Sequence, residues 1–356
     1  MPARNPQSRE RLAPRPSTSP RSTSRKRRAG KTPASRDLIL LRAAALSISL
    51  GLLIGGISQL LRSVFPESAP EQLTPVSQGE TSQAVLFNQP LRELETQLAP
   101  FLERPGLTPH LIVADVDSSS YADVRGSEPI PAASTIKLPI LVAFLQAVDN
   151  GLLPLDETLT IDPSLVVGEA GVLQNRPEGS QVTALQAATL MMTISDNTAT
   201  NLLIDRLGGR EGLNPIFRQW GLQHTQLVEL LPDLEGQNTT SALDMVTLLH
   251  SLEAGQLLSL RSRDRLMDMM RRTETPALLS LGLGENSRFA HKTGTISSVV
   301  GDVGIVDMPT GGRYLVAVWV ARATPNDPAA VELIRQLSET VYQFWLRPQP
   351  SPTAEG

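Results

Sequence analysis

The chain of 356 residues contains no cysteine. That absence excludes disulfides, thiolate metal sites and a cysteine nucleophile, while leaving the redox compartment open. Histidine is sparse as well: His110, His224, His250 and His291 are scattered, and no pair has the spacing of metal ligands. With no G-x-S-x-G anywhere, a Ser-His-Asp hydrolase is disfavoured. Lysine is the most telling shortage. Beyond residue 31 it occurs only at Lys137 and Lys292, whereas residues 63–356 carry 17 arginines. Positive charge is also short in that body, where 19 Lys/Arg face 34 Asp/Glu. So acidic a body would be repelled by a phosphate backbone, which argues against nucleic acid as a partner.

What is present divides the chain. Residues 1–36 hold eleven Lys/Arg against one acid, with much Ser and Pro, and read as a basic disordered arm. Its A-G-K-T at residues 29–32 lacks the earlier glycine of a phosphate loop, since Arg25 stands there. Residues 37–62 contain AAALSISLGLLIGGISQLL at 43–61, uncharged between Arg42 and Arg62. At about 1.5 Å per residue this stretch suits a bilayer core, and the arginines before it put the N-terminus in the cytoplasm. The expectation is a single-pass anchor in the cytoplasmic (inner) membrane with everything downstream exported to the periplasm. Residues 63–88 read as a Pro/Ser-rich tether, 89–347 as the folded domain, and 348–356 as a frayed tail.

Within the domain the pattern predicts a helix near 90–103 and strands near 109–117 and 120–126. A mainly helical stretch over 134–275 follows. Strands near 288–296, 298–307 and 313–322 come next, the last two joined through M-P-T-G-G, and a helix covers about 327–346. That order describes an α/β (α+β) two-lobe domain, with a sheet built from both ends of the domain and a helical insertion.

Three short motifs carry candidate chemistry. In A-A-S-T-I-K-L-P, Ser134 and Lys137 lie one turn apart if the following apolar run is a helix. A dehydrated lysine loses its proton more easily and can act as a base for a serine, which arginine cannot do. The bland alternative is a capping serine followed by a solvated lysine. Ser195-Asp196-Asn197 sits between two helical patterns, as a capping turn or as a proton shuttle with an amide for a substrate carbonyl. Lys292-Thr293-Gly294-Thr295 leads into the sheet, as a strand end with an ordinary lysine or as an edge that grips an extended peptide.

S-x-x-K, S-D-N and K-T-G in this order resemble the signature of class A β-lactamases and penicillin-binding proteins. The resemblance covers essentially residues 89–347. It implies an antiparallel five-stranded sheet with flanking helices plus an all-helical lobe, and a site between the lobes. It further implies Ser134 as nucleophile, Lys137 as its activator and Ser195 as proton donor to the leaving nitrogen. Asn197 would hold the substrate amide, Lys292 and Thr293 would bind its carboxylate, and Gly294 would let the substrate approach the strand backbone closely. The backbone N–H groups of Ser134 and Thr295 would form the oxyanion hole. No cofactor and no metal are implied; the substrates are β-lactams or D-Ala-D-Ala peptides of peptidoglycan.

One element of that family is missing. The segment QLVELLPDLEGQ holds no E-x-x-L-N, the loop whose glutamate positions the deacylating water, and the interval from Ser195 to Thr239 is short. Glu229 is the candidate for that base, with a solvated loop acid as the alternative. Asn238-Thr239-Thr240 resembles the helix start after this loop, and Ser241 with Asp244 has the spacing of a capping box. The departure favours a penicillin-binding enzyme with slow β-lactam release. A tethered β-lactam or muropeptide sensor is the other alternative, although a basic arm of about 36 residues is too small to hold a signalling domain.

Overall fold

The computed structural model describes residues 87–274 and 278–347. The basic arm, the 43–61 stretch, nearly all of the tether and the tail lie outside the described residues. Among the described residues no helix is long and apolar enough to cross a membrane.

The domain opens with β1 (Gln89–Pro90) and α1 (Arg92–Leu98), then β2 (Leu107–Asp115), β3 (Ser120–Val124) and β4 (Ile130–Pro131). The helical part begins with α2 (Lys137–Asp149), followed by the small strands β5 (Thr158–Thr160) and β6 (Gln181–Thr183). It continues through α3 (Ala184–Thr193), α4 (Asn197–Arg206), α5 (Gly209–Gln219), β7 (Thr239–Thr240), α6 (Ala242–Glu253) and α7 (Leu260–Arg271). The chain closes with β8 (Arg288–Ile296), β9 (Val299–Asp307), β10 (Arg313–Arg322) and α8 (Ala329–Leu346).

The main sheet runs β1-β3-β2-β10-β9-β8, so strands from the two ends of the domain meet at β2–β10. Five of its strands form the expected antiparallel sheet. A sixth was not foreseen: β1 pairs parallel with β3 through two residues. The tether also ends earlier than residue 88. Phe87 is buried against Tyr121 and His250, and the Asn88 N–H donates to the Ser119 carbonyl at 3.2 Å.

One face of the sheet packs on α1 and α8 through Val113, Val316, Val318, Leu333 and Leu337. The other, with Ala317 and Trp319, packs on the helical part. At the centre of that second core lies α2, buried at every position from Lys137 to Leu145. A helix apolar all round belongs in a core rather than at a surface, so its first residue enters the interior with the rest. Lysine in that position is the exception that needs a reason.

Candidate active site

The turn before α2 sets the serine. Residues Ala133–Ile136 form a 3₁₀ turn, and α2 proper begins at Lys137 rather than at Ser134. Ala133 takes φ +48°, a left-handed value uncommon for a residue with a side chain. Ser134 is half-buried, while Lys137 is fully buried.

Lys137 Nζ stands 3.0 Å from Ser134 Oγ, 3.0 Å from Ser195 Oγ, 2.9 Å from the Ser195 carbonyl and 2.7 Å from Asn197 Oδ1. Two of these partners, the carbonyl and the amide oxygen, can only accept. An uncharged amine has two hydrogens for them and one lone pair left for a hydroxyl proton. Burial pushes the Lys137 pKa well below the ordinary lysine value; the positive charge of Lys292 adds to this, and Asp196 opposes it. The site therefore holds a lysine that can act as a base.

The S-D-N turn supplies the other half. Ser195 also sits at a positive φ, +59°, and the Asp196 N–H donates back to the Leu190 carbonyl at 3.1 Å. Asp196 carries a role that the sequence reading missed. Its Oδ1 caps α4 by accepting from Ala199 N–H at 2.8 Å, and its Oδ2 accepts from Val172 and Leu173 N–H at 2.7 and 2.9 Å. A loop over 167–173 is thereby fastened to the site. Asn197 binds the same loop, through Nδ2 to the Gly168 carbonyl at 2.9 Å and N–H to the Ala170 carbonyl at 3.1 Å. The bond to Gly168 also fixes which end of the Asn197 amide faces Lys137.

From the sheet side comes the edge strand β8. A Cβ on Gly294 would stand 3.0 Å from the Ala132 carbonyl and from the Ser134 and Thr135 nitrogens. Only glycine lets the strand lie this close to the serine turn. Thr295, the next residue, is exposed; Thr293 is buried. Lys292 is fully buried and donates to the Thr293 carbonyl at 2.9 Å. Burial lowers its pKa to about 8, and the carboxylate of Asp302 opposes the fall. It remains mostly an ammonium at neutral pH, so it is suited to receive a carboxylate. Asp302 is itself buried and paired with His291 Nδ1 at 2.9 Å.

The loop that was expected to hold the deacylating carboxylate is stapled by side-chain amides. Asn214 holds Leu227 through a 2.8 Å bond on each side. Asn238 accepts from Val228 and Glu229 N–H and donates to the Glu229 carbonyl. Asn201 accepts from Leu231 N–H and donates to its carbonyl. The Glu229 side chain is exposed and lines a surface pocket with Ile204, Asp205 and Arg210. Ile204 and Asp205 lie at the far end of α4, seven and eight residues past Asn197, or about 11 Å along the helix axis, and Arg210 lies beyond them in α5. The structure thus brings Ser134, Lys137, Ser195 and Asn197 together, sets Lys292–Thr295 beside them, and leaves Glu229 outside. Leu231 is the loop residue clamped nearer to Asn197, and it is aliphatic and buried.

The capping box after the loop is only half made. Ser241 Oγ accepts from Asp244 N–H at 3.1 Å, but Asp244 turns to Gln223 and His224 N–H and Thr225 Oγ1. In place of a pure helix start, Thr239–Thr240 form β7, paired with β4 just before the serine turn. The Asn238 carbonyl also accepts from Ala132 N–H at 2.7 Å. Among the described residues no group of His, Asp and Glu is arranged to hold a metal.

Comparison with known proteins places the chain in one family. A family model described as the beta-lactamase enzyme family matches residues 93–345. Beta-lactamase AER-1 of Aeromonas hydrophila is 29% identical over 292 residues, covering 79% of this chain and 91% of that protein. The extended-spectrum β-lactamase PER-1 of Pseudomonas aeruginosa is 30% identical over 242 residues, 62% of this chain and 77% of that one. Among solved structures, PBP-A is 51% identical with a TM-score of 0.71, covering 73% of this chain and 98% of that one. A point mutant of PBP-A, solved as an acyl-enzyme complex with penicillin G, is 50% identical, with the same TM-score of 0.71 and the same shares covered, 73% and 98%.

Proposed function

The chain belongs to the beta-lactamase enzyme family, serine hydrolases acting on amide bonds, and we propose that its acyl-enzyme forms on Ser134. The favoured substrates are D-Ala-D-Ala type peptides, with β-lactams as compounds that acylate the same serine and leave slowly. On this reading Lys137 takes the Ser134 proton as Oγ bonds to the substrate carbonyl carbon. The oxyanion is received by the N–H groups of Ser134 and Thr295. The C–N bond breaks, and the proton passes from Lys137 through Ser195 Oγ to the leaving nitrogen. Asn197 holds the acyl-side amide, and Lys292, with Thr293, receives the terminal carboxylate beside the strand at Gly294. Water then adds to the ester carbonyl, the bond to Oγ breaks, Ser134 Oγ takes up a proton given up by the water, and the acyl group leaves as a carboxylate.

Two observations support a peptidase over a rapid β-lactamase. One is the location of Glu229 at the far end of α4, with aliphatic Leu231 nearer the cluster; this observation carries the reading. The other is the likeness to PBP-A. A peptide loses its leaving D-alanine to solvent, whereas an opened β-lactam keeps its leaving nitrogen tethered beside the ester. Without a placed base, water reaches that ester slowly. The basic arm and the apolar stretch at 43–61 support an extracytoplasmic domain held to the cytoplasmic membrane. The test is D-alanine release from an N-acylated D-Ala-D-Ala peptide by the full-length chain. Release that disappears in Ser134→Ala is expected; no release, with fast penicillin turnover instead, would make it a β-lactamase.

A further inference from the structure

Among the described residues Arg322 is the one arginine that is buried, at 8% exposure. It closes β10, and its Nη2 donates to the Ile296 and Val299 carbonyls. Among the described residues it forms no ion pair, and its Nε–H is buried without a hydrogen-bond partner. A buried charge is costly unless a counter-charge stands beside it, and carbonyl oxygens carry only partial charge. Burial lowers the Arg322 pKa; the acid that opposes this, Asp327, stands outside salt-bridge distance. Holding the turn at 296–299 accounts for Nη2 alone. The unpaired Nε–H and the unbalanced charge call for a further partner.

Arg322 lines an open cleft of about 550 Å³ at the end of the sheet. Arg104 lines the same cleft, half-buried, with its Nη2 on the Gln336 side-chain oxygen and its guanidinium over the Phe101 ring. It too forms no ion pair among the described residues; Glu332, whose charge it feels, is held by Arg335. Thr108 and Ser298 add exposed side chains whose hydroxyls make no hydrogen bond among the described residues. Neither Asp nor Glu lines the cleft. In a body where 34 Asp/Glu outnumber 19 Lys/Arg, this is a local reversal of sign. Such a cleft concentrates anions from solution.

We propose that the cleft between Arg104 and Arg322 is an anion-binding site, separate from the serine cluster, that takes a carboxylate or a phosphate group. A guanidinium offers paired N–H donors to two oxygens of either group, which suits it to this task better than lysine. The cleft borders the turn that follows β8. Arg322 fastens that turn through its side chain and through its N–H, which donates to the Ser298 carbonyl at 2.7 Å. Ser298 stands three residues past Thr295, at most about 10 Å along an extended chain. The anion therefore has two sources: free phosphate, or a carboxylate carried upstream of the scissile bond by a peptide that runs along β8 from Lys292.

The experiment has two arms. The first titrates inorganic phosphate with the full-length chain at constant ionic strength and follows the phosphorus NMR linewidth. It is done in a Lys292→Gln background, so that the ammonium of the serine site does not contribute. Saturable binding is expected, weakened about tenfold by Arg104→Gln and abolished by Arg322→Gln. Should Arg322→Gln fail to fold, the half-buried Arg104 carries the test. The second arm compares D-alanine release by the natural chain from Nα-succinyl-L-alanyl-D-Ala-D-Ala and from its Nα-acetyl counterpart, which lacks the upstream carboxylate. A preference of about threefold for the succinyl peptide, removed by Arg104→Gln, would identify the substrate as the source. This arm alone rests on the peptidase reading; if neither peptide releases D-alanine, that reading fails and the phosphate arm decides. Binding dependent on Arg104 without a peptide preference would identify free phosphate as the source. Phosphate binding that is absent or unchanged in Arg104→Gln, with no peptide preference dependent on Arg104, would overturn the proposal.

Discussion

Asn201 holds Leu231 by both of its backbone groups, accepting from the N–H at 2.9 Å and donating to the carbonyl at 2.7 Å. Asn201 lies one turn along α4 from Asn197, so this pair ties the loop over 227–238 to the helix that carries the S-D-N turn. Asn201→Ala would leave both backbone groups of a buried residue without partners. A loss of stability of about 2 kcal/mol is expected, measured by urea unfolding. An unchanged midpoint would mean that water replaces the amide and that the loop is not held by it.

Lys137 makes a sharper demand on chemistry. Its four contacts leave no room for a second role, and burial holds its pKa far down. Lys137→Arg keeps a long nitrogen-bearing side chain but makes it permanently charged and removes the base, so acylation by a fluorescent penicillin should fall by about a thousandfold or more. Acylation that survives in the arginine variant would show that the proton goes elsewhere.

Lys292 predicts a pH dependence. Its pKa is lowered to about 8, so the ammonium is present below that value and lost above it. KM for a peptide with a free C-terminal carboxylate should therefore rise as pH passes through about 8. An ester of the same peptide, with no carboxylate, should show no such limb. A limb in both would assign the titration to Lys137 or another group.

Gly294 tests the edge-strand contact. With a methyl group set 3.0 Å from three backbone atoms of the serine turn, Gly294→Ala must move β8 or the turn. The oxyanion donors would shift together, and acylation should drop by about a hundredfold while thermal stability changes little. A normal acylation rate would show that the strand has slack.

The cluster was legible through two anomalies, lysines where the chain writes arginine and a strand glycine, and through the order of S-x-x-K, S-D-N and K-T-G, since S-D-N alone reads as an ordinary capping turn. Their order then indicated the sheet, since strands at both ends of the domain must meet for β2 to pair with β10. What stayed hidden depends on contacts between distant segments. Nothing in E-L-L-P says that the first residue faces Arg210 and the third is clamped by Asn201; that choice is made by three asparagines 9 to 30 residues away. β1 escaped notice because two residues carry no period.

We propose that Ser134 is acylated readily and deacylated slowly because, among the described residues, the loop carboxylate Glu229 lies away from it. Intact mass of the full-length chain, followed after mixing with benzylpenicillin, tests this most directly. One added penicillin mass that persists for many minutes, and never forms in Ser134→Ala, is the result the account predicts. Rapid consumption of penicillin with the protein returning at once to its free mass would contradict it.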